Sequence, residues 1–316
     1  MTVIEWLLDA DPAIRWQVMR DLIDAGPDAV AAERSRVSNE GWGAQLLALQ
    51  GSDGRWDNGT YRPGWVDESK PFVDAWTATH FALQLLRDFG LAPHSDEANE
   101  AVSLVRENVR WEANDALYFD GEVEPCINGL ALANGAYFGQ DVDGIVERLL
   151  DDELGDGGWN CWAEYGATVS SFHTTICVIE GLLEWERAGG ASETVETARR
   201  SGEEFLLERG LFRRRSSGQV IDPRLTMFSF PTWWYYDVLR ALDHFRSSGS
   251  ETDSRCAAAI DLVAAKADVE GRWPLENTHQ GPTHFDMEGP EGFPSRWNTL
   301  RAMRVLRWAD SGDGSG

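Results

Sequence analysis

The stretch Gln50-Gly51-Ser52-Asp53-Gly54-Arg55-Trp56 constrains this chain more than any other. Shortened copies return at Asp156-Gly157-Gly158-Trp159 and Glu270-Gly271-Arg272-Trp273, and a helix-like apolar run comes after each. An acidic residue, a glycine and a tryptophan in this order suit a tight turn followed by an aromatic wedge. The carboxylate caps backbone N–H groups, the glycine takes a positive φ, and the indole buries a large surface. Recurrence of such a unit implies a repeat architecture.

Apolar periodicity resolves six helical pairs. The expected helices cover 2–8 and 12–25, 40–49 and 74–86, 97–111 and 126–138, 142–154 and 170–187, 193–208 and 232–246, and 254–267 and 295–308. Pro27 closes the first pair, while Gly90, Gly139 and Gly189-Gly190 stand where a helix C-terminus favours glycine. In each pair the first helix is charged and amphipathic and the second is apolar around most of its circumference, so the first belongs outside and the second inside. Six inner helices ringed by six outer ones make an all-α, single-domain α/α toroid over residues 1–309, with 310–316 as a disordered tail. An open α-solenoid is the competing arrangement.

A net charge of −25, from 53 acidic against 28 basic residues, argues against nucleic acid or an anionic membrane as the main partner. Lys70 and Lys266 are the only lysines. No run approaches the roughly 18 apolar residues that a membrane span needs, and the N-terminal residues lack the layout of a signal peptide, so a cytoplasmic protein is expected. Cys126, Cys161, Cys177 and Cys256 lie far apart with no Cys-x-x-Cys pair, which gives the expectation of reduced thiols.

In the toroid the long within-pair connections gather at the end where inner helices begin, and the site is expected there. Aligning the inner helices on Thr79, Gly129, Thr175, Tyr235 and Thr299 places Trp76, Thr77, His80, Cys126, Phe172, His173, Trp233, Trp234, Arg296 and Trp297 around its mouth, with Arg15 and Trp16 completing the circle. Of these, Trp76, His80, Phe172, Trp233, Trp234, Arg296 and Trp297 are the expected substrate-binding residues, since an aromatic lining suits a large apolar ligand. The competing role for any one tryptophan is core packing, and for His80 that of a buried, hydrogen-bonded histidine. His173 opens an inner helix and is a candidate acid, base or metal ligand. His284 and Asp286, in the last long connection with His279, join it as catalytic candidates. Cys126, His173 and His284 form the candidate metal set, for which a divalent ion such as zinc is the matching cofactor. Helix N-termini and arginines such as Arg224, Arg296 and Arg213 to Arg215 offer a place for an anionic head group.

Gln50-x-x-Asp53-Gly54-x-Trp56 resembles the QW repeat of squalene and oxidosqualene cyclases, and the six-pair pattern resembles the toroid they share with protein prenyltransferase β subunits. The resemblance spans essentially the whole chain. It implies an enzyme that binds an isoprenoid or other polycyclic apolar substrate in a tryptophan-lined cavity, with tryptophan faces stabilising cationic intermediates and His or Asp groups moving protons. The cyclases' D-x-D-D acid motif does not occur; Asp141-Val142-Asp143-Gly144 is the nearest string, and it opens an outer helix. Two alternatives stand beside this expectation: a non-catalytic toroid that binds a lipid or protein, and a carbohydrate-active enzyme with two carboxylates flanking a cleft.

Overall fold

The structure, a computed structural model, describes residues 1–67 and 74–312, and these fold as an all-α chain. The helices are α1 (Val3–Leu8), α2 (Pro12–Asp21), α3 (Pro27–Ser35), α4 (Gly41–Ala48), α5 (Thr79–Phe89), α6 (Asp96–Asn108), α7 (Pro125–Tyr137), α8 (Asp143–Asp151), α9 (Phe172–Arg187), α10 (Glu193–Leu207), α11 (Val238–Ser247), α12 (Ala257–Ala265) and α13 (Arg296–Gly312). Two two-residue strands, Trp273–Pro274 and Pro294–Ser295, pair antiparallel. Caps explain several boundaries. Ser95, Ser171 and Asp237 each accept a hydrogen bond from the first turn of α6, α9 and α11, and Gly90 ends α5 with φ of 81°.

The chain divides into two compact units. One comprises Met1–Arg34, Glu204–His279 and the chain from Asp286 on; the other comprises Ser35–Glu203 with Gln280–Phe285. In the second unit α7 packs chiefly on α9, and two glycines set how closely. A Cβ on Gly129 would lie 2.5 Å from the Cys177 carbonyl, and one on Gly181 would lie 2.4 Å from the Gly129 oxygen. Backbone therefore meets backbone across this crossing, a distance that any side chain there would forbid.

The repeated motif has one geometry in all three copies. The indole N–H of Trp56 donates to Leu46 O, that of Trp159 to Leu149 O and that of Trp273 to Val263 O, each over 2.7 Å to the helix ten residues earlier. The backbone N–H of the same tryptophans donates to Thr79, Thr175 and Thr299 hydroxyls at 3.2, 3.1 and 2.9 Å. Each tryptophan thus ties a preceding helix to the threonine of a following one, with every polar group of the tie satisfied in the interior. The full copy adds Gln50, whose side-chain amide bridges Gly54 O and Ala101 O. Gly54 has φ of 85° and a Cβ there would meet Leu104 O at 2.6 Å, so both conformation and space require glycine. In the third copy the capping carboxylate is Asp268, which accepts from Glu270 N and Arg272 N, in place of the expected Glu270.

Four local expectations change. Pro27 opens a helix, α3, as proline does at a first helical position. α5 begins at Thr79, with Ala78 as N-cap, and not at residue 74, so Trp76 precedes the helix. α11 begins at Val238 because Asp237 caps it, leaving Trp233 and Trp234 in the preceding turn, Trp233 with φ of 49°. The helical backbone of α13 continues to Gly312, past the expected start of the disordered tail, and 313–316 lie outside the described residues, as do 68–73 of the connection before α5.

Candidate functional site

In the unit built on Ser35–Glu203, the segment leading into α7 is held rigidly. Buried Glu122 accepts the N–H groups of Val123 and Glu124, both at 2.7 Å, while Asn128 exchanges two hydrogen bonds with the Glu122 backbone. This sets Glu124 and Cys126 at the start of α7. There Cys126 meets Cys161, with 6.3 Å between Cα atoms, and the two sulfurs are joined. The expectation of four reduced thiols is therefore corrected for this pair: 35 residues of separation vanish where the loop after Trp159 meets the first turn of α7. Cys177 and Cys256 are free and buried.

The pair has a polar setting. Cys126 Sγ lies 3.8 Å from Glu124 Oε2, and the Thr174 hydroxyl donates to Cys161 Sγ at 3.4 Å. The Glu124 oxygen and both sulfurs lie within 4.8 Å of one another. Burial, then the nearby carboxylates of Glu122 and Glu164, push the Glu124 carboxyl above its ordinary pKa. Trp162 and Tyr165, in the loop after Cys161, are 69% and 75% exposed, and Val123, Val169 and Trp65 are also exposed.

A second cluster in the same unit surrounds Tyr61. Its loop is fastened by Glu112, which accepts from the N–H groups of Thr60 and Tyr61 at 2.8 and 3.1 Å. The Tyr61 ring lies 5.6 Å from His80 and 5.1 Å from Phe81, and Phe81 meets Trp76 edge-on at 4.9 Å. Burial, then the charges of Glu124 and Asp74, raise the Tyr61 hydroxyl above its usual pKa, so it stays a phenol. The segment Gln280–Phe285 lies against Trp76: Trp76 Nε1 donates to Gln280 O at 2.9 Å and Trp76 N to Pro282 O at 3.0 Å. His284 Nε2 donates to Thr77 O at 2.9 Å, which leaves Nδ1 as the basic nitrogen. Burial lowers the His284 pKa, so the ring is neutral near pH 7.

The expected site residues fall into distinct settings. In this unit Trp76, His80 and Phe172 are buried, and His173 is partly exposed on the first turn of α9. His80 is wholly enclosed, with Nδ1 3.0 Å from the Tyr118 hydroxyl, which in turn accepts from Asn134. Burial lowers its pKa to about 3, the signature of a structural, neutral histidine. In the other unit Trp233 is buried, Trp234 stacks on Tyr235 at 3.7 Å and Trp297 stacks on Phe230 at 4.2 Å. Arg296 lies over the Trp6 ring at 5.1 Å, Asp286 is exposed, and His279 contacts the Ser229 hydroxyl at 3.1 Å. Among the described residues, the metal-ligand atoms that converge are those of Glu124, Cys126 and Cys161; His173 and His284 are outside that group.

Sequence reasoning missed Tyr61, Glu124, Cys161 and Thr174. Tyr61 sits in a glycine- and proline-rich connection that reads as a linker. Cys161, two residues after a motif tryptophan, and Glu124, two before Cys126, were the available signals. No family model and no curated protein matches the chain.

Proposed function

We propose that the chain is an α/α-toroid enzyme of the terpenoid-cyclase type, which binds an isoprenoid or other polycyclic apolar molecule and moves a proton with His284. The carrying observation is the neutral His284 imidazole, pinned through Nε2 by Thr77 O beside the Trp76–Phe81–Tyr61 aromatic cluster. An imidazole fixed in this tautomer offers Nδ1 to accept a proton from carbon next to a cationic centre, and aromatic faces favour such a centre. His173, on the first turn of α9 in the same unit, is the further proton-transfer group of this reading. The carboxylates of Glu124, Asp74 and Glu122 act on Tyr61 and disfavour a diphosphate beside it, so an uncharged hydrocarbon or its cation is the ligand of this reading.

The test is incubation with squalene-type and farnesyl-type lipids, with products read by mass spectrometry. His284→Gln is expected to lower turnover at least ~100-fold while the helical circular dichroism stays intact; undiminished turnover removes His284 from the mechanism. Thermal stabilisation by these lipids with no product supports the non-catalytic lipid-binding alternative. Exposed Trp162 and Tyr165 beside the interacting carboxylates Glu124 and Glu164 favour one second reading, carbohydrate processing. Hydrolysis of an oligosaccharide that is lost in Glu164→Gln would establish it over the first.

A further inference from the structure

We propose that Cys126, Cys161 and Glu124 form a redox-gated metal site, in which the reduced cysteine pair and the carboxylate hold a zinc ion and the joined pair is the metal-free state. This goes beyond the reading above and does not depend on it. The three ligand atoms already lie within 4.8 Å of one another on a rigid support. In a tetrahedral zinc site with Zn–S of about 2.3 Å and Zn–O of about 2.0 Å, two sulfurs stand about 3.8 Å apart and a sulfur and an oxygen about 3.5 Å. Small side-chain rotations bring the present group to those separations.

Three features serve a dithiolate metal centre and give nothing to a disulfide. A carboxylate stands 3.8 Å from Cys126 Sγ, where a neutral disulfide has no use for it. The Thr174 hydroxyl donates to Cys161 Sγ at 3.4 Å and accepts from Cys161 N at 3.3 Å, so it orients the sulfur and stabilises thiolate charge, as outer hydrogen bonds do for metal ligands. Cys126 is the second residue of the 13-residue helix α7, whose N-terminal partial charge favours a thiolate. Glu124 is exposed and Cys161 is partly exposed, so an aqueous ion can reach the group. Three protein ligands leave a fourth position for water or a substrate atom, the arrangement of catalytic zinc sites.

A dithiol reductant supplies two electrons and two protons; the Cys126–Cys161 bond breaks, two thiols form and the reductant becomes a disulfide. Zinc then displaces a proton from each thiol and sheds hydration water, giving two thiolate bonds and one carboxylate bond.

The test uses the full chain, reduced with a dithiol under anaerobic conditions, loaded with zinc chloride and desalted. Metal is counted by elemental mass spectrometry, and cobalt(II) in place of zinc reports sulfur ligation through a thiolate-to-metal charge-transfer band. One zinc per reduced chain is expected, with none in the oxidised chain. Loss of zinc and of the cobalt band is expected in Cys126→Ser and in Cys161→Ser, and at least tenfold weaker zinc binding in Glu124→Gln. Cys256→Ser, at a buried cysteine elsewhere, is the control and should retain the metal. Circular dichroism establishes that each variant is folded, and Glu124→Gln, at an exposed position, keeps the test decisive should a cysteine variant unfold. Zinc binding by the reduced chain no better than that of the Cys126→Ser/Cys161→Ser double variant overturns the proposal. Wild-type affinity in Glu124→Gln overturns the three-ligand assignment.

Discussion

Thr79→Val isolates the hydrogen bond that ties the full tryptophan motif to α5. Thr79 and Trp56 are both fully buried. The Thr79 hydroxyl accepts from Trp56 N at 3.2 Å and donates to Gly59 O at 2.6 Å. Valine keeps the shape and the β-branching, so helix propensity and packing change little. Gly59 O retains the Thr79 backbone N–H as a partner at 3.1 Å, whereas Trp56 N is left facing a methyl group. A buried donor without a partner costs about 1–3 kcal/mol. Thr79→Ser gives the opposite deletion: it keeps the hydroxyl and removes one buried methyl, worth about 0.8 kcal/mol. The expected order is therefore wild type, then Ser, then Val, with Val lower by about 2 kcal/mol. Thr175→Val and Thr175→Ser should repeat that order, because Trp159 N rests on Thr175 in the same way. Equilibrium urea denaturation followed by tryptophan fluorescence measures both series. A Val variant as stable as wild type, or more stable than the Ser variant, would falsify the assignment of the tie to the hydroxyl and leave side-chain volume as its source.

Two buried titratable groups set further outcomes. The folded His80 pKa of about 3 lies below the ordinary value of 6.5, so the unfolded chain binds the extra proton first; this share of stability is complete above pH 6.5 and is lost as pH falls towards 3, at up to ~1.4 kcal/mol per pH unit. His80→Asn should flatten the acid limb of a stability–pH curve measured by denaturant melts, and an unchanged slope sinks the attribution. In the other unit, Arg304 pairs with Asp243 and Asp21; burial opposes ionisation of Asp243, but Arg304 and then Arg246 outweigh it and hold that carboxyl well below its usual range. Arg304→Met should cost about 3–5 kcal/mol by stranding a buried carboxylate, and a much smaller loss in denaturant titrations would mean that Arg246 alone suffices for Asp243.

The helical class and most helix positions were legible because apolar residues recur at helical spacing through runs such as those of α6 and α8. The equivalence of Thr79, Thr175 and Thr299 was legible too, and it proves to be a hydrogen-bonding equivalence: each hydroxyl receives a motif tryptophan's N–H. Helix starts were less legible. Periodicity extends back through Trp76 and Trp234, but Trp76 N is engaged by Pro282 O and Asp237 supplies the cap of α11, so neither tryptophan enters its helix. The site was the least legible part. Cys126 was visible as a candidate, yet its partner is set by where the loop after Trp159 folds, and no local pattern encodes that meeting.

The tryptophan ties carry a consequence for how this scaffold can change. The indole always reaches back ten residues, whereas the threonine it meets ahead lies 23, 16 or 26 residues on. One arm of the tie is a fixed gauge and the other spans a loop of any length. Segments between tryptophan and threonine, which include Tyr61 and Cys161, can be lengthened, trimmed or exchanged while the helices on either side stay fastened. The fold thus separates the part of the chain that must keep its measure from the part that is at liberty to acquire new chemistry.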